Sequence, residues 1–155
     1  MELVRLSNMK QVLVLEDSPE RIHAFTEAIR LVDDAKLFVW KSAHAMIRDL
    51  PGHLPNATLL SLDFDLIPDS NSTGDPGSGL DVCDFLAKQV PVCPIILHSS
   101  NEQAVWEMLF KLGEGNWETD WLRHDPLGVV WIGTLWLPKI QSYLARGPKS
   151  VRKHK

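Results

Sequence analysis

The chain has 155 residues, 45% of them hydrophobic and 23% charged, which fits one globular domain and excludes a disordered polymer. The net charge of −4 hides an asymmetry: the closing stretch RGPKSVRKHK holds five Lys/Arg and no acid, so Met1 to Ala145 carries 11 basic against 20 acidic residues. An acidic body argues against nucleic acid as a partner, and no apolar window reaches the length of a membrane span.

The N-terminus lacks a signal-peptide core, and Cys83 and Cys93 form neither a CxxC pair nor a disulfide ladder. Both features point to a reducing cytoplasm. Residues 10–146 read as one domain and residues 147–155 as a basic, disordered tail.

Strand-like and helix-like runs alternate along the chain. Residues 11–16 (QVLVLE) form a short Val/Leu strand, and Asp17-Ser18-Pro19-Glu20 supplies an N-cap and a helix-starting proline. Ile22, Phe25, Ala28, Ile29 and Val32 then recur at helical spacing. Residues 36–41 (KLFVWK) are the second strand, followed by a helix from a Ser42 cap to Leu50 that Pro51-Gly52 stops. Residues 57–63 are the third strand and 69–79 a loop. Leu80, Cys83, Phe85, Leu86 and Val90 mark the next helix, and residues 93–99 the fourth strand. Asn101 opens a helix with Val105, Trp106, Leu109, Phe110 and Leu112 on its apolar side, ending at Gly113.

Two stretches compete for the fifth strand, 117–122 (WETDWL) and 128–132 (GVVWI). The first follows the fourth helix at the usual short distance and leaves 133–144 as the last helix, with Pro138 as an internal kink. The second is more apolar; the first is preferred on distance. The six tryptophans, at these spacings, are read chiefly as core.

Continuous apolar strands separated by helices indicate a parallel sheet covered on both faces, hence a doubly wound α/β fold. Such folds place ligand sites beyond the carboxyl ends of the strands. Polar residues gather there: Glu16 and Asp17, then Asp63 and Asp65, then His98 to Asn101. Four carboxylates suit a hard divalent cation such as Mg²⁺. Asp63 and Asp65 share one side if the backbone stays extended, with Phe64 opposite. The HSSN run suits an anion, and His98 is either an acid or base or a buried, hydrogen-bonded ring. In a continuing strand His98 and Ser99 face opposite sides. Asp69, Asn71, Thr73 and Gly74 imitate half of a calcium loop, but its twelfth position is Leu80, so that motif is rejected.

These motifs together resemble a response-regulator receiver domain: an acidic pair after strand one, an Asp ending strand three, a Ser ending strand four, and GLDVCDFL opening helix three. The resemblance spans about residues 10–113. It implies a flavodoxin-like, three-layer α/β/α fold with strand order 2-1-3-4-5. It further implies Asp63 as phosphoacceptor, Glu16 and Asp17 on Mg²⁺ or Mn²⁺, Asp65 lending its backbone carbonyl to the metal, and Ser99 on the phosphoryl group. Closer still, the chain resembles the cyclic-phosphate-processing receiver domains. The matching residues are Glu16, Asp17, Pro19, Glu20 and Arg21, then Leu62, Asp63, Asp65 and Leu66, then His98, Ser99 and Asn101. Phe64 and Ser100 stand where that branch often has histidine, residues 66–79 are longer than in most receivers, and no lysine ends either candidate fifth strand.

The resemblance implies a cytoplasmic signalling protein that recognises or hydrolyses a cyclic-phosphate signal. Its metal would lie on Glu16, Asp17, Asp63 and Asp65, its catalytic groups would be Asp63 and His98, and Ser99, Asn101 and Arg21 would hold the phosphate. The alternatives are a stand-alone receiver phosphorylated on Asp63 that signals through a separate output protein, and a scaffolding pseudo-receiver.

Overall fold

Five parallel strands form one sheet: β1 (Lys10–Leu15), β2 (Ala35–Trp40), β3 (Ala57–Leu62), β4 (Ile95–Leu97) and β5 (Thr119–Trp121). Their order is β2-β1-β3-β4-β5, the flavodoxin-like arrangement. The computed structural model describes residues 9–67 and 74–146, so the tail assigned to 147–155 and residues 69–73 of the expected 69–79 loop lie outside the described residues.

Among the described residues, five α-helices connect or follow the strands: α1 (Pro19–Ile29), α2 (Ala43–His53), α3 (Gly79–Leu86), α4 (Glu102–Glu114) and α5 (Leu137–Leu144). Strand alternation divides the core between the two faces. Leu13, Leu15, Leu60, Leu62, Ile95 and Leu97 pack under α2, α3 and α4. Val12, Val14, Leu59 and Ile96 face α1 and α5 on the other side. The same period puts Ser61, within β3, and Glu16 and His98, each one residue beyond its strand, on the α1/α5 face, a placement that decides the site.

Several boundaries differ from the sequence reading. Ser18, not Asp17, caps α1, its hydroxyl accepting from the Arg21 N–H. Helix α2 does not stop at Pro51; it runs on to His53 and into a 3-10 turn, Leu54–Asn56, because a buried Leu50 and Leu54 hold that end against the sheet. Helix α3 ends at Leu86, leaving Val90 79% exposed. On α4, Val105, Met108 and Leu112 form the buried stripe, while Trp106 and Phe110 are 57% and 69% exposed. The fifth strand falls in the preferred stretch, within WETDWL. The proline kink takes a particular form: residues Ile132–Trp136 are a π-helical segment leading into α5, with the Leu137 N–H bonded to the Ile132 carbonyl. Pro138 has no N–H for the carbonyl four residues back, so the helix widens before it.

Candidate functional site

The strand ladder delivers three polar residues side by side. One residue beyond the strand ends, the Asp63 N–H bonds to the Leu15 carbonyl and the His98 N–H to the Leu62 carbonyl. Glu16, Asp63 and His98 therefore stand in adjacent register, all buried, with one ligand atom from each lying within 4.8 Å of the others. A glycine makes the turn after β3 possible. Gly79 donates its N–H to the Phe64 carbonyl, and a Cβ there would lie 2.1 Å from the Asp63 carbonyl oxygen.

Glu16 is fully engaged. Its Oε1 accepts from His98 Nε2 at 3.0 Å and its Oε2 from the Ser18 N–H at 3.1 Å. Burial pushes its carboxyl up, but the His98 hydrogen bond, the Ser18 N–H and Arg21 more than offset this and hold it below the ordinary range. His98 is wholly enclosed, packed against Phe25 and Trp131, and burial lowers its pKa. The pair is thus a neutral imidazole donating to a carboxylate, not two facing charges.

Asp63 is different. Its Oδ1 accepts the Phe64 N–H at 2.8 Å, while among the described residues Oδ2 receives no hydrogen bond. The nearest cation, Arg21 Nη1, stands 3.9 Å from Oδ2 and 3.7 Å from Glu16 Oε1. Two like charges within 4.8 Å of each other repel by at least about 3.5 kcal/mol at an effective dielectric of about 20. Burial, then Glu16, outweigh Arg21 and raise Asp63 to about 8. A buried carboxyl with one oxygen unbonded and a second acid beside it is chemically fitted to a hard divalent cation, which would replace its proton.

Arg21 is fixed at the rim. Its Nη2 donates to the Pro126 carbonyl at 3.2 Å and its guanidinium lies 5.4 Å from the centre of the Trp131 ring. Asp17 Oδ2 accepts from the Ile67 N–H; burial and then Glu16 push its carboxyl up. Asp65 is exposed and its side chain is not in the cluster. Ser99 is buried, its hydroxyl oxygen accepting from the Asn101 N–H, and Asn101 caps α4 through its Oδ1.

The family model for the cyclic-phosphate processing receiver domain matches residues 13–114. The chain belongs to that family. No curated protein matches the chain significantly. Among solved structures, the response regulator domain of Thermotoga maritima CheB aligns with a TM-score of 0.66 at 15% identity, covering 94% of this chain and 100% of that one. The Mn²⁺-bound response regulator Rcp1 aligns with a TM-score of 0.60 at 19% identity, over 94% and 99%. CheY, in a CheX-CheY-BeF₃-Mg²⁺ complex from Borrelia burgdorferi, or its partner there supplies a third match, with a TM-score of 0.59 at 15% identity over 88% and 87%. At these identities the structures share the fold alone.

In this receiver domain β5 runs into Leu122, Arg123 and His124. Arg123 is exposed, its guanidinium 4.0 Å over the Trp121 ring, and among the described residues it makes no ion pair with Asp63 in place of the missing lysine. The cation beside Asp63 comes from α1 instead. Sequence reasoning missed Ser61 and Trp131, which touch His98, and Trp136, which bonds to Ser61 behind it. Ser61 carried a usable signal, a polar residue inside the apolar run LLSLD. The tryptophans carried none, because their role depends on how the last helix is turned.

Proposed function

We propose that this receiver-domain signalling protein binds a divalent cation at Asp63 and recognises a cyclic-phosphate ligand beside it. The observation that carries the reading is the Oδ2 of buried Asp63, which receives no hydrogen bond among the described residues, with Arg21 held 3.9 Å away. Asp63 and Asp17 would ligate Mg²⁺ or Mn²⁺ directly, with Glu16 orienting a bound water; Asp65 would contribute through its backbone carbonyl. The cation supplies Lewis-acid neutralisation of phosphate charge when bound.

The rest falls to the chain's own side chains. Arg21, braced by Pro126 and Trp131, presents a planar charged donor to the phosphate oxygens. The Asn101 amide nitrogen is left by the helix cap for the same anion, and the Ser99 hydroxyl proton is directed by the oxygen that receives the Asn101 N–H. His98 takes a different part from the acid or base expected of it. Its ring is enclosed and both nitrogens are bonded, so it positions Glu16 and the reading is recognition rather than turnover. The proposed compartment is the cytoplasm, where the two free cysteines stay reduced. No helix among the described residues is long and apolar enough to cross a membrane.

The test is calorimetry with Mg²⁺ followed by a cyclic phosphodiester. Asp63→Asn should lose metal binding. Arg21→Ala should keep it, or tighten it by removing a competing charge, and lose the phosphodiester. Near-complete phosphorylation of Asp63 by acetyl phosphate, seen by intact mass, would instead establish the phosphorylated receiver that signals through an output protein.

A further inference from the structure

A buried polar chain crosses the α1/α5 face from the last helix to the acidic rim. Trp136 Nε1 donates to Ser61 Oγ at 3.0 Å, Ser61 Oγ lies 2.7 Å from His98 Nδ1, and His98 Nε2 lies 3.0 Å from Glu16 Oε1. Trp136, Ser61 and His98 are completely buried and Glu16 is nearly so.

The proton count along this chain has one solution for a neutral ring. The indole N–H is a donor only, so Ser61 Oγ accepts from Trp136. The hydroxyl then has one proton to place, and among the described residues its remaining partner is His98 Nδ1. Nδ1 must accept, which leaves the ring proton on Nε2, pointed at the Glu16 carboxylate. The opposite tautomer would set a lone pair against that carboxylate and leave the serine proton without an acceptor, in a place where an unmade hydrogen bond costs about 1–3 kcal/mol.

We propose that Ser61 and Trp136 are positioning residues of the site: they hold His98 in its Nε2–H tautomer and so fix the Glu16 carboxylate at the rim. Its consequence for the cation rests on the metal reading above. The π-helical segment belongs to the device. The widened turn at Ile132–Trp136 sets Trp136 against Phe25, with ring centres 4.5 Å apart, and aims its indole N–H at Ser61, near the carboxyl end of β3. An imidazole oriented from its far side by a second hydrogen bond is how proteins commonly set the direction of a polar group at a metal site.

The experiment uses nitrogen-resolved NMR of the metal-free protein together with Mg²⁺ calorimetry. In the wild type the His98 signal, identified by its loss in His98→Gln, should show the proton on Nε2. Ser61→Ala removes the hydroxyl that donates to Nδ1, so the Nδ1 signal should move towards that of an unbonded ring nitrogen and Mg²⁺ should weaken roughly 10- to 100-fold. Trp136→Phe keeps a ring against Phe25 while removing the donor, and should give a smaller change in the same direction. A wild-type proton on Nδ1, or a folded Ser61→Ala with an unmoved Nδ1 signal and unaltered Mg²⁺ affinity, overturns the proposal. A wild type that binds no Mg²⁺ overturns the metal reading, and the tautomer alone then decides the relay.

Discussion

Asp63 shows how a single residue couples burial to function. Its folded value of about 8 against an ordinary 3.8 means that the proton stabilises the metal-free fold. That contribution is complete below 3.8 and is lost as the pH rises through about 8. Glu16, held below its ordinary value, behaves oppositely: its contribution is present above the unfolded pKa and lost as the pH falls through the folded one. Asp63→Asn cannot ionise and keeps an acceptor for the Phe64 N–H. The variant should therefore exceed the wild type at alkaline pH by roughly 2 kcal/mol or more, since each pKa unit is worth about 1.4 kcal/mol. The advantage should shrink towards acid pH, and denaturant melts across the pH range would read both limbs. An equal gap at every pH would show that burial does not hold the proton on Asp63.

At the scale of elements, α3 and α4 make the sharpest predictions. The first residue of α3 touches the Asp63 carbonyl, so Gly79→Ala should cost about 3 kcal/mol, the upper end of an overpacking penalty, and weaken the site. Helix α4 should respond to its faces unequally. Met108 is fully buried, and Met108→Ala should cost about 2–5 kcal/mol. Phe110 is exposed, and Phe110→Ser should stay within about 0.5 kcal/mol. Equilibrium unfolding of the two variants measures the difference directly. The sequence pattern had placed Phe110 and Trp106 on the apolar side because aromatic residues at helical spacing look like core. Only the sheet, which occupies one side of the helix, decides which apolar positions it covers.

For the whole molecule, the bound cation should be a source of stability. A ligand 100-fold above its dissociation constant adds about 2.7 kcal/mol, or roughly 5–10 °C in Tm for a domain of this size. Because the cation must displace the Asp63 proton, this gain should be larger near pH 8 than near pH 6, and EDTA should abolish it. Thermal melts at the two pH values, with and without Mg²⁺, check the sign. A larger gain at the lower pH would separate the cation from Asp63.

The parallel, doubly wound sheet and its carboxyl-end rim were legible in the sequence because both follow from local signals, apolar runs and turn residues, whereas the strand order came from the receiver resemblance. The acids at Glu16 and Asp63 were legible for the same reason: each ends an apolar run. What only the tertiary structure decided is which groups satisfy them. Glu16 and His98 are 82 residues apart, and Ser61 and Trp136 are 75. Arg21, expected from the resemblance to hold the phosphate, is also the cation nearest Asp63, a place for which a lysine after β5 was looked for. Hydrophobic period reports which face a residue takes, but a buried polar atom's partner is set by sheet register and helix rotation, to which each segment contributes only half.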